Sequence, residues 1–159
     1  ISSGSGVIFG VTGGVMEAAL RKVADKSDFA MKEIEYSGIR GMDGVKKAEV
    51  TLGDKTLRLG VVNGLGNADR LIELIESGEE HFDFVEVMAC PYGCIAGAGQ
   101  PFSHKSDKAR RSQGMYKADK SAVIKCSDEN PVVRELYEYG LLKGRARTAS
   151  YQINTVMSG

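Results

Sequence analysis

Hydrophobic and polar positions near the start of the chain follow the spacing of an α-helix. After the Thr12-Gly13-Gly14 turn, apolar residues recur every three or four positions, at Val15, Met16, Ala19, Leu20 and Val23. This spacing places them on one helix face. A short apolar run at residues 7–9 precedes the turn and predicts a strand, so the segment is expected to form a strand, a tight glycine loop and a helix.

The spacing changes to alternate residues in the next part of the chain. Apolar and polar residues alternate in two runs, over residues 48–52 and 57–61. Gly53 and Asp54, which favour a tight reversal, separate the two runs. We therefore predict a β-hairpin that turns at this pair.

A helix and a strand are predicted downstream of the hairpin. Asn67 is a suitable N-cap for a helix that ends at Gly78. The residues expected on its buried face are Ala68, Leu71, Ile72 and Ile75. Residues 82–88 are rich in β-forming residues and predict a buried strand that leads directly into Cys90.

The last part of the chain predicts two helices. A polar helix is expected over residues 106–120, and Asn130-Pro131 provides the cap and first-turn proline of a final helix that ends at Gly140. Its inward residues are expected to be Val133, Leu136 and Tyr137. Hairpin and crossover connections together predict an α/β fold, with a mixed β-sheet flanked by helices, in a single domain over residues 1–159.

Composition and charge argue against several classes of function. The 21 Lys and Arg residues balance the 21 Asp and Glu residues, which removes the basic excess typical of nucleic-acid binding. An acidic stretch over residues 69–86 and a basic stretch over residues 105–120 are interpreted as solvated helix faces. No apolar run approaches the ~20 residues of a membrane span. We expect neither a nucleic-acid partner nor a membrane span.

The three cysteines indicate a reducing compartment. Their number is odd, and Cys90 and Cys94 lie together in a glycine-rich stretch, so a secreted disulfide framework is not expected. The start of the chain lacks the basic and apolar segments of a signal peptide. We therefore predict a cytoplasmic location. Ile1 in place of an initiator methionine suggests a processed chain or an excised piece of a longer one.

Cys90 and Cys94 are the candidate metal ligands. Three residues separate them, and they follow the predicted strand in a loop freed by Gly93, Gly97 and Gly99. Thiolates are the usual ligands of iron-sulfur centres. Small residues let the backbone approach a bulky inorganic group, and its N-H groups can then donate hydrogen bonds to the cluster sulfides.

Other interpretations of these residues remain open at this point. A structural zinc site needs four ligands, and no second close pair of cysteines or histidines occurs. A thioredoxin-like site has two residues between its cysteines, and here there are three. Two buried, unreactive cysteines fit the spacing as well as a ligand pair does. The glycine turn at residues 10–14 offers a weak phosphate-binding alternative.

Three stretches of the chain resemble the iron-only ([FeFe]) hydrogenases. The family's third signature is Met-Ala-Cys-Pro-Gly-Gly-Cys, followed two residues later by Gly-Gly-Gly-Gln-Pro. The similar stretch here is Met88-Ala89-Cys90-Pro91-Tyr92-Gly93-Cys94-Ile95-Ala96-Gly97-Ala98-Gly99-Gln100-Pro101. Residues 6–21 resemble a sequence motif that lies upstream of this signature in the family, and residues 129–137 resemble the final helix of the family. The three occur in the family's order, which implies the C-terminal lobe of the catalytic (H-cluster) domain.

The resemblance implies a role for each matching residue. In the family, a [4Fe-4S] cluster is joined through a cysteine sulfur to a two-iron subcluster, and the two together form the H-cluster. Cys90 matches a ligand of the cube, and Cys94 matches the ligand that bridges to the two-iron subcluster. Met88, Phe9 and Val15 match apolar residues that line the two-iron pocket. The implied reaction is reversible oxidation of H2 to protons and electrons, with ferredoxin or another electron carrier as partner.

The chain departs from the family pattern at several positions. Tyr92 replaces a glycine between the two cysteines, and Ala98 replaces the middle glycine of the Gly-Gly-Gly run. Residues 148–154 stand where many relatives carry a histidine-rich ending. Cys126 matches no family ligand and is interpreted as a core or surface thiol. These departures suggest a divergent subgroup.

Two family motifs that supply the other cube ligands, Thr-Ser-Cys-Cys-Pro and Met-Pro-Cys, do not occur in the chain. Because a cube takes four protein ligands, we expect the chain to be a fragment of a larger hydrogenase domain, inactive alone and without an intact cluster. The remainder of that domain is an expected partner. The alternative function is that of a non-catalytic relative, either an H2-sensing module or an iron-sulfur assembly protein.

Overall fold

A computed structural model describes residues 2–24, 34, 38–102 and 104–138. The helices in these ranges are α1 (Gly4–Ile8), α2 (Gly14–Val23), α3 (Leu65–Glu76), α4 (Lys105–Ser121) and α5 (Pro131–Glu138). The strands are β1 (Val45–Leu52), β2 (Lys55–Asn63) and β3 (Phe84–Met88). Two short 3-10 turns cover Cys94–Ala96 and Ser127–Glu129.

The three strands form one mixed sheet in the order β1-β2-β3. β1 and β2 are the antiparallel arms of the predicted hairpin, with Val50 opposite Leu57. β2 and β3 are parallel, joined by α3 as the crossover, with Asn63 opposite Met88. The carboxyl ends of these two strands therefore emerge at the same edge of the sheet. The predicted α/β class, a mixed sheet flanked by helices, is confirmed.

The main hydrophobic core contains residues of α2 and of one face of the hairpin. Met16 and Leu20 of α2 belong to a single buried cluster with Val50, Leu59 and Val61 of the strands. Each fully buried side chain of this size contributes roughly 1.5–3 kcal/mol to stability. The helical spacing identifies the face of α2, and the alternation identifies the face of the hairpin, that pack together in this core.

The predicted strand at residues 7–9 is wrong, because α1 ends within this segment. The Ser3 hydroxyl caps the helix and accepts a hydrogen bond of 3.2 Å from the amide of Gly6. α1 approaches α4 so closely that a Cβ added at Gly4 would lie 2.1 Å from Asp119 Oδ1. A three-residue apolar run does not distinguish a helix from a strand, and contact with a distant helix decides the conformation here.

The helix predicted after the hairpin begins earlier than expected. Gly64 is the N-cap of α3, and Asn67 lies in its first turn. The Asn67 side chain donates a 2.8 Å hydrogen bond to the carbonyl of Asn63. It therefore binds the last residue of β2 and does not cap the helix. Gly78, with a φ of +78°, follows the end of the helix as predicted.

Several apolar residues that the sequence predicts to be buried are exposed. They are Ile72 and Ile75 of α3 and Phe84, Val85 and Val87 of β3. The buried member of β3 is instead the charged Glu86. The prediction of a buried strand is therefore wrong within the described residues, because they leave the Phe84, Val85 and Val87 side chains largely uncovered on the faces of the sheet.

α4 confirms the predicted polar helix and extends it by one residue at each end. His104 and Asp107 form a capping box at its start. The interpretation of this segment as a solvated face fails at Asp119, which is 3% exposed. None of the described helices combines the length and the apolar character that a membrane span requires.

α5 begins at Pro131, as predicted. The Asn130 Oδ1 atom caps it by accepting a 3.0 Å hydrogen bond from the amide of Val132. The three residues predicted to point inward are partly exposed, with Leu136 and Tyr137 at 37% and 44%. The predicted helix end at Gly140 and the departing tail at 148–154 lie outside the described residues.

Candidate metal centre

The two candidate ligands follow the carboxyl end of β3. Cys90 and Cys94 are both exposed thiols, and Cys94 begins the 3-10 turn. Cys126 differs from them because it is 3% exposed and its sulfur lies 3.6 Å from the carbonyl oxygen of Arg21. The described residues thus leave the Cys90 and Cys94 thiols exposed, whereas Cys126 belongs to the core.

The segment that carries the ligands, residues 89–101, forms the cysteine loop. It packs against the turn that precedes α2, where the Ile95 amide donates a 3.1 Å hydrogen bond to the carbonyl of Gly10. Gly93 has a φ of +79°, and a Cβ added to it would lie 2.9 Å from the amide nitrogen of Thr12 and 3.1 Å from Met88 Sδ. A glycine is required at this contact, and it brings the two family-like motifs together.

The other two glycines predicted to admit a cluster differ in their surroundings. A Cβ added at Gly97 would lie 3.8 Å from Cys90 Sγ, whereas a Cβ at Gly99 would meet no atom within 4 Å. Gly97 therefore keeps backbone close to a thiol. Ala98, the second departure from the family pattern, is exposed.

Tyr92, between the two ligands, has a φ of +69° and is the one non-glycine with a positive φ among the described residues. Its amide donates a 2.8 Å hydrogen bond to Asn63 Oδ1. Its ring lies 4.8 Å from the ammonium of Lys108 on α4. The left-handed backbone explains why glycine suits this position. The bond to Asn63 uses the backbone amide and is open to most residues, whereas the contact with Lys108 requires the tyrosine ring.

Asn63 is a structural residue that the sequence analysis missed. It ends β2 and is 2% exposed, and its amide group donates hydrogen bonds of 3.2 Å to Thr12 Oγ1 and 2.7 Å to the carbonyl of Asp43. Together with its bond to Tyr92, these contacts join three loops at one edge of the sheet. The signal available in the sequence was a polar residue directly after the buried run of β2.

Glu86 of β3 was also missed. Its carboxylate oxygens accept hydrogen bonds of 2.6 Å from the amides of Gly13 and Met16, at the N-terminus of α2. The N-terminus of a helix favours a negative charge, and here the protein supplies that charge itself. This finding overturns the phosphate-binding alternative, because Glu86 already occupies the donors of the glycine turn.

Lys46 lies beside the same turn. Its ammonium donates 3.0 Å hydrogen bonds to the carbonyls of Thr12 and Gly41. Burial lowers the pKa of Lys46 to about 8, and the charges of Glu86 and Asp43 offset part of that effect. The turn that meets the cysteine loop is thus fixed by one buried cation and one buried anion.

A second buried ionic cluster ties α2 to α4. Arg21 donates two 2.7 Å hydrogen bonds to Asp119 and one of 2.5 Å to Glu17, and Arg40 also contacts Glu17 at 2.7 Å. Burial alone would favour neutral groups. The hydrogen bonds and opposite charges nevertheless raise the pKa of Arg21 and lower that of Asp119. Both side chains therefore remain charged across the physiological range.

The three predicted pocket-lining residues do not form one group. Phe9 and Val15 are 47% and 39% exposed, and both line an open cavity of about 620 Å³ beside α5. The other residues of that cavity include Ala18, Ala19, Cys126, Val133 and Tyr137. Met88 instead contacts the cysteine loop at Gly93. Their shared role at a two-iron pocket stays a prediction.

The donor set fits part of an iron-sulfur cluster. Cys90 and Cys94 are available thiols, and the glycine at 97 leaves room beside Cys90 Sγ. A [4Fe-4S] cube takes four thiolates. Among the described residues, no group of three or more His, Cys, Asp or Glu side chains could hold a metal ion. The described residues therefore offer two neighbouring exposed thiols, fewer than the four that a cube takes.

Two family models match the chain in succession. Residues 1–98 match the C-terminal domain of the iron only hydrogenase large subunit. Residues 105–146 match the iron hydrogenase small subunit. Residues 99–104, which include the last part of the cysteine loop and lead into α4, separate the two matches.

Individual relatives agree with these models. The chain is 44% identical over 157 residues to a subunit of the NADP-reducing hydrogenase of Solidesulfovibrio fructosivorans. The aligned region covers 97% of this chain and 27% of that protein. It is 30% identical to cytosolic iron-sulfur assembly component 3 of Mus musculus, over 92% of this chain and 31% of that protein. The chain thus spans about a quarter to a third of the length of these curated relatives.

A solved structure shares the fold. A variant of the [FeFe]-hydrogenase of Chlamydomonas reinhardtii superposes with a TM-score of 0.62 at 37% identity, over 89% of this chain and 43% of that one.

Proposed function

The chain belongs to the iron-only hydrogenase family, and on that premise we propose that Cys90 and Cys94 are two of the protein ligands of an H-cluster. One observation carries the proposal: both thiols are exposed at the end of a parallel strand, in a loop that packs on the second family motif. Cys90 would hold the [4Fe-4S] cube, and Cys94 would bridge to the two-iron subcluster. When bound, this cofactor supplies the chemistry of reversible H2 oxidation to protons and electrons.

The residues around the loop have supporting roles in this proposal. Gly93 and Gly97 allow close approach of the backbone, and Gly99 has open space where a side chain would stand, so a cluster could lie beside the backbone there. Met88, Phe9 and Val15 would exclude water from the two-iron side, since apolar walls strengthen the few polar contacts inside a site. Their separation in the described residues suggests that further parts of the domain complete the wall.

The proposal requires more protein than the chain contains. We propose that residues 1–159 are one part of a longer hydrogenase domain whose remainder supplies the other two cube ligands. H2, protons, and ferredoxin or another electron carrier would be partners of that longer protein. On this proposal the isolated chain is inactive, and the cytoplasmic location stays a prediction.

The test is iron loading of the full-length protein under anaerobic maturation. Cys90→Ser and Cys94→Ser should each lose the electron paramagnetic resonance signal of the cube and hydrogen evolution. Cys126→Ser is the matched control, because this buried thiol should be dispensable for iron binding. Full iron content in both ligand variants would contradict the proposal. So would stoichiometric two-iron cofactor with hydrogen evolution in the 159-residue chain alone.

A non-catalytic role is the second candidate. The resemblance to the iron-sulfur assembly component and the replacement of a loop glycine by Tyr92 favour it. The higher identity to a hydrogenase subunit favours the enzyme. A matured full-length protein that carries the complete cofactor but evolves no hydrogen would indicate the sensing role, whereas a protein that never acquires the two-iron subcluster would indicate the assembly role.

A further inference from the structure

α4 holds the cysteine loop from outside. Arg111 Nη1 donates a 2.9 Å hydrogen bond to the carbonyl of Ile95, and Arg111 Nη2 donates one of 3.2 Å to the carbonyl of Pro101. One guanidinium thus joins the residue after Cys94 to the end of the loop. Lys108, one turn earlier on α4, contacts the ring of Tyr92 between the two cysteines.

Arginine is well suited to this contact. Its planar guanidinium carries donors in a fixed fork, so it can bond two carbonyls at once in a defined geometry. Met115 and Tyr116, one turn further along α4, pack in the same apolar cluster as Ile95. α4 therefore makes both polar and apolar contacts with this part of the loop.

The two partners come from the segments that match different family models. Ile95 lies in the large-subunit match and Arg111 in the small-subunit match. The segment that resembles a small subunit thus contacts the loop that carries the candidate ligands. The contacts of this segment therefore include the cysteine loop as well as α1 and α2.

We propose that Arg111 is a positioning residue that holds the cysteine loop in the conformation that presents Cys90 and Cys94 to a cluster. The inference rests on the proposed function, because it takes these thiols to be ligands. The loop's own hydrogen bonds show what Arg111 would protect: the amides of Ala96 and Gly97 donate 3.1 Å bonds to the carbonyls of Gly93 and Cys94. Loss of the external anchor should increase the opening of these bonds.

Hydrogen-deuterium exchange of the full-length protein, prepared without its cluster, tests the inference. Arg111→Met keeps the aliphatic stem but removes both donors, and it should raise exchange of the hydrogen-bonded amides of residues 95–97 by about tenfold. Arg111→Lys, which cannot bond both carbonyls in the same geometry, should give a smaller rise. Arg110→Met is the matched control, because Arg110 is exposed on the same helix and approaches Asp107 only at 3.8 Å. It should leave exchange unchanged.

Three outcomes would overturn the positioning role. They are wild-type exchange in the loop of Arg111→Met, an equal rise in Arg110→Met, and an equal rise throughout β1 and β2, which would show general destabilisation. In the matured full-length protein, Arg111→Met should also change the line shape of the cube's paramagnetic resonance spectrum, and an unchanged spectrum would count against the proposal. If the wild-type protein binds no iron, the proposed function fails, while the exchange measurement still decides whether Arg111 anchors the loop.

Discussion

The carboxylate of Glu86 accepts a 2.6 Å hydrogen bond from the amide of Gly13, 73 positions earlier in the chain. This bond connects the strand that leads to the cysteines with the turn that begins α2. It also places a negative charge at the positive end of a helix. The bond therefore links the two family-like motifs through a residue that belongs to neither a ligand set nor a hydrophobic core.

Replacing Glu86 with glutamine should destabilise the chain. The neutral amide would keep one acceptor but lose the charge at the helix N-terminus, so Glu86→Gln should lower the free energy of unfolding by about 1–2 kcal/mol. Urea denaturation followed by circular dichroism measures this change. Glu73→Gln, at an exposed position of α3, should cost less than about 0.5 kcal/mol, and equal losses in both variants would argue against capping.

Stability should rise with pH in mildly alkaline solution. Burial lowers the pKa of Lys46 from 10.5 to about 8, so the unfolded chain binds this proton more tightly than the folded one. Stability is then gained as the pH rises from about 8 to 10.5, by on the order of 2–3 kcal/mol. Above pH 10 the gain is opposed, because burial raises the pKa of Tyr116 to about 12 and the folded state retains that proton.

The variant Lys46→Met isolates this effect. It keeps an aliphatic side chain of similar length and removes the titrating group. Urea denaturation at pH 7, 8, 9 and 10 should therefore show a rise in wild-type stability that the variant lacks. A parallel pH dependence in the two proteins would show that other groups cause the rise.

Breaking the ion pair between α2 and α4 should be costly. Asp119→Asn leaves the buried Arg21 with Glu17 as its remaining full negative partner in the described contacts. Removing one member of a buried pair typically costs about 3–5 kcal/mol. Thermal unfolding should show a clearly lower midpoint for Asp119→Asn. An exposed carboxylate on α3, tested as Asp69→Asn, should leave the midpoint nearly unchanged, and similar midpoints in the two variants would contradict the account.

The three cysteines should differ in chemical reactivity. Cys90 and Cys94 are exposed and Cys126 is buried, and alkylation requires access to the thiolate. Iodoacetamide under native, reducing conditions should modify the two loop cysteines at least about a hundredfold faster than Cys126, because the latter reacts only after opening of the core. Tandem mass spectrometry of tryptic peptides measures the three rates, because fragmentation separates Cys90 from Cys94 on their shared peptide. Comparable rates at all three positions would refute this assignment of burial.

Replacing Tyr92 with glycine should cost less stability than replacing it with alanine. Both substitutions lose the contact with Lys108, which is worth about 0.5–1 kcal/mol at an exposed site. Alanine keeps the strain of a left-handed backbone, which costs roughly 1–2 kcal/mol, whereas glycine relieves it. Tyr92→Gly should therefore be about 1 kcal/mol more stable than Tyr92→Ala in urea denaturation. The opposite order would mean that this backbone conformation is not strained.

Local patterns in the sequence predict the parts of the fold that depend on near neighbours. The alternation over residues 48–61 gives the hairpin, and the spacing from Val15 to Val23 gives α2, because each pattern repeats with the period of its element. The cysteine loop was located from Cys90 and Cys94 for a similar reason. Its ligands and its glycines are adjacent in sequence.

The missed features depend on partners that are far away in the chain. Glu86, Asn63 and Asp119 resemble ordinary surface residues in their local sequence, and the hydrogen-bond partners of their side chains lie 20 to 98 positions away. α1 was mistaken for a strand because its approach to Asp119 cannot be inferred from three apolar residues. For β3 the secondary structure was predicted correctly but its burial was not. A run of β-forming residues predicts a strand, and the strand is buried only where another element covers it.

The edge position of β3 affects the tendency of the chain to associate with other molecules. Phe84, Val85 and Val87 expose their side chains on a strand whose outer backbone edge is unpaired within the described sheet. Such an edge is a template for strand addition by another molecule. A chain produced without a covering partner should therefore tend to aggregate through this strand as its concentration rises.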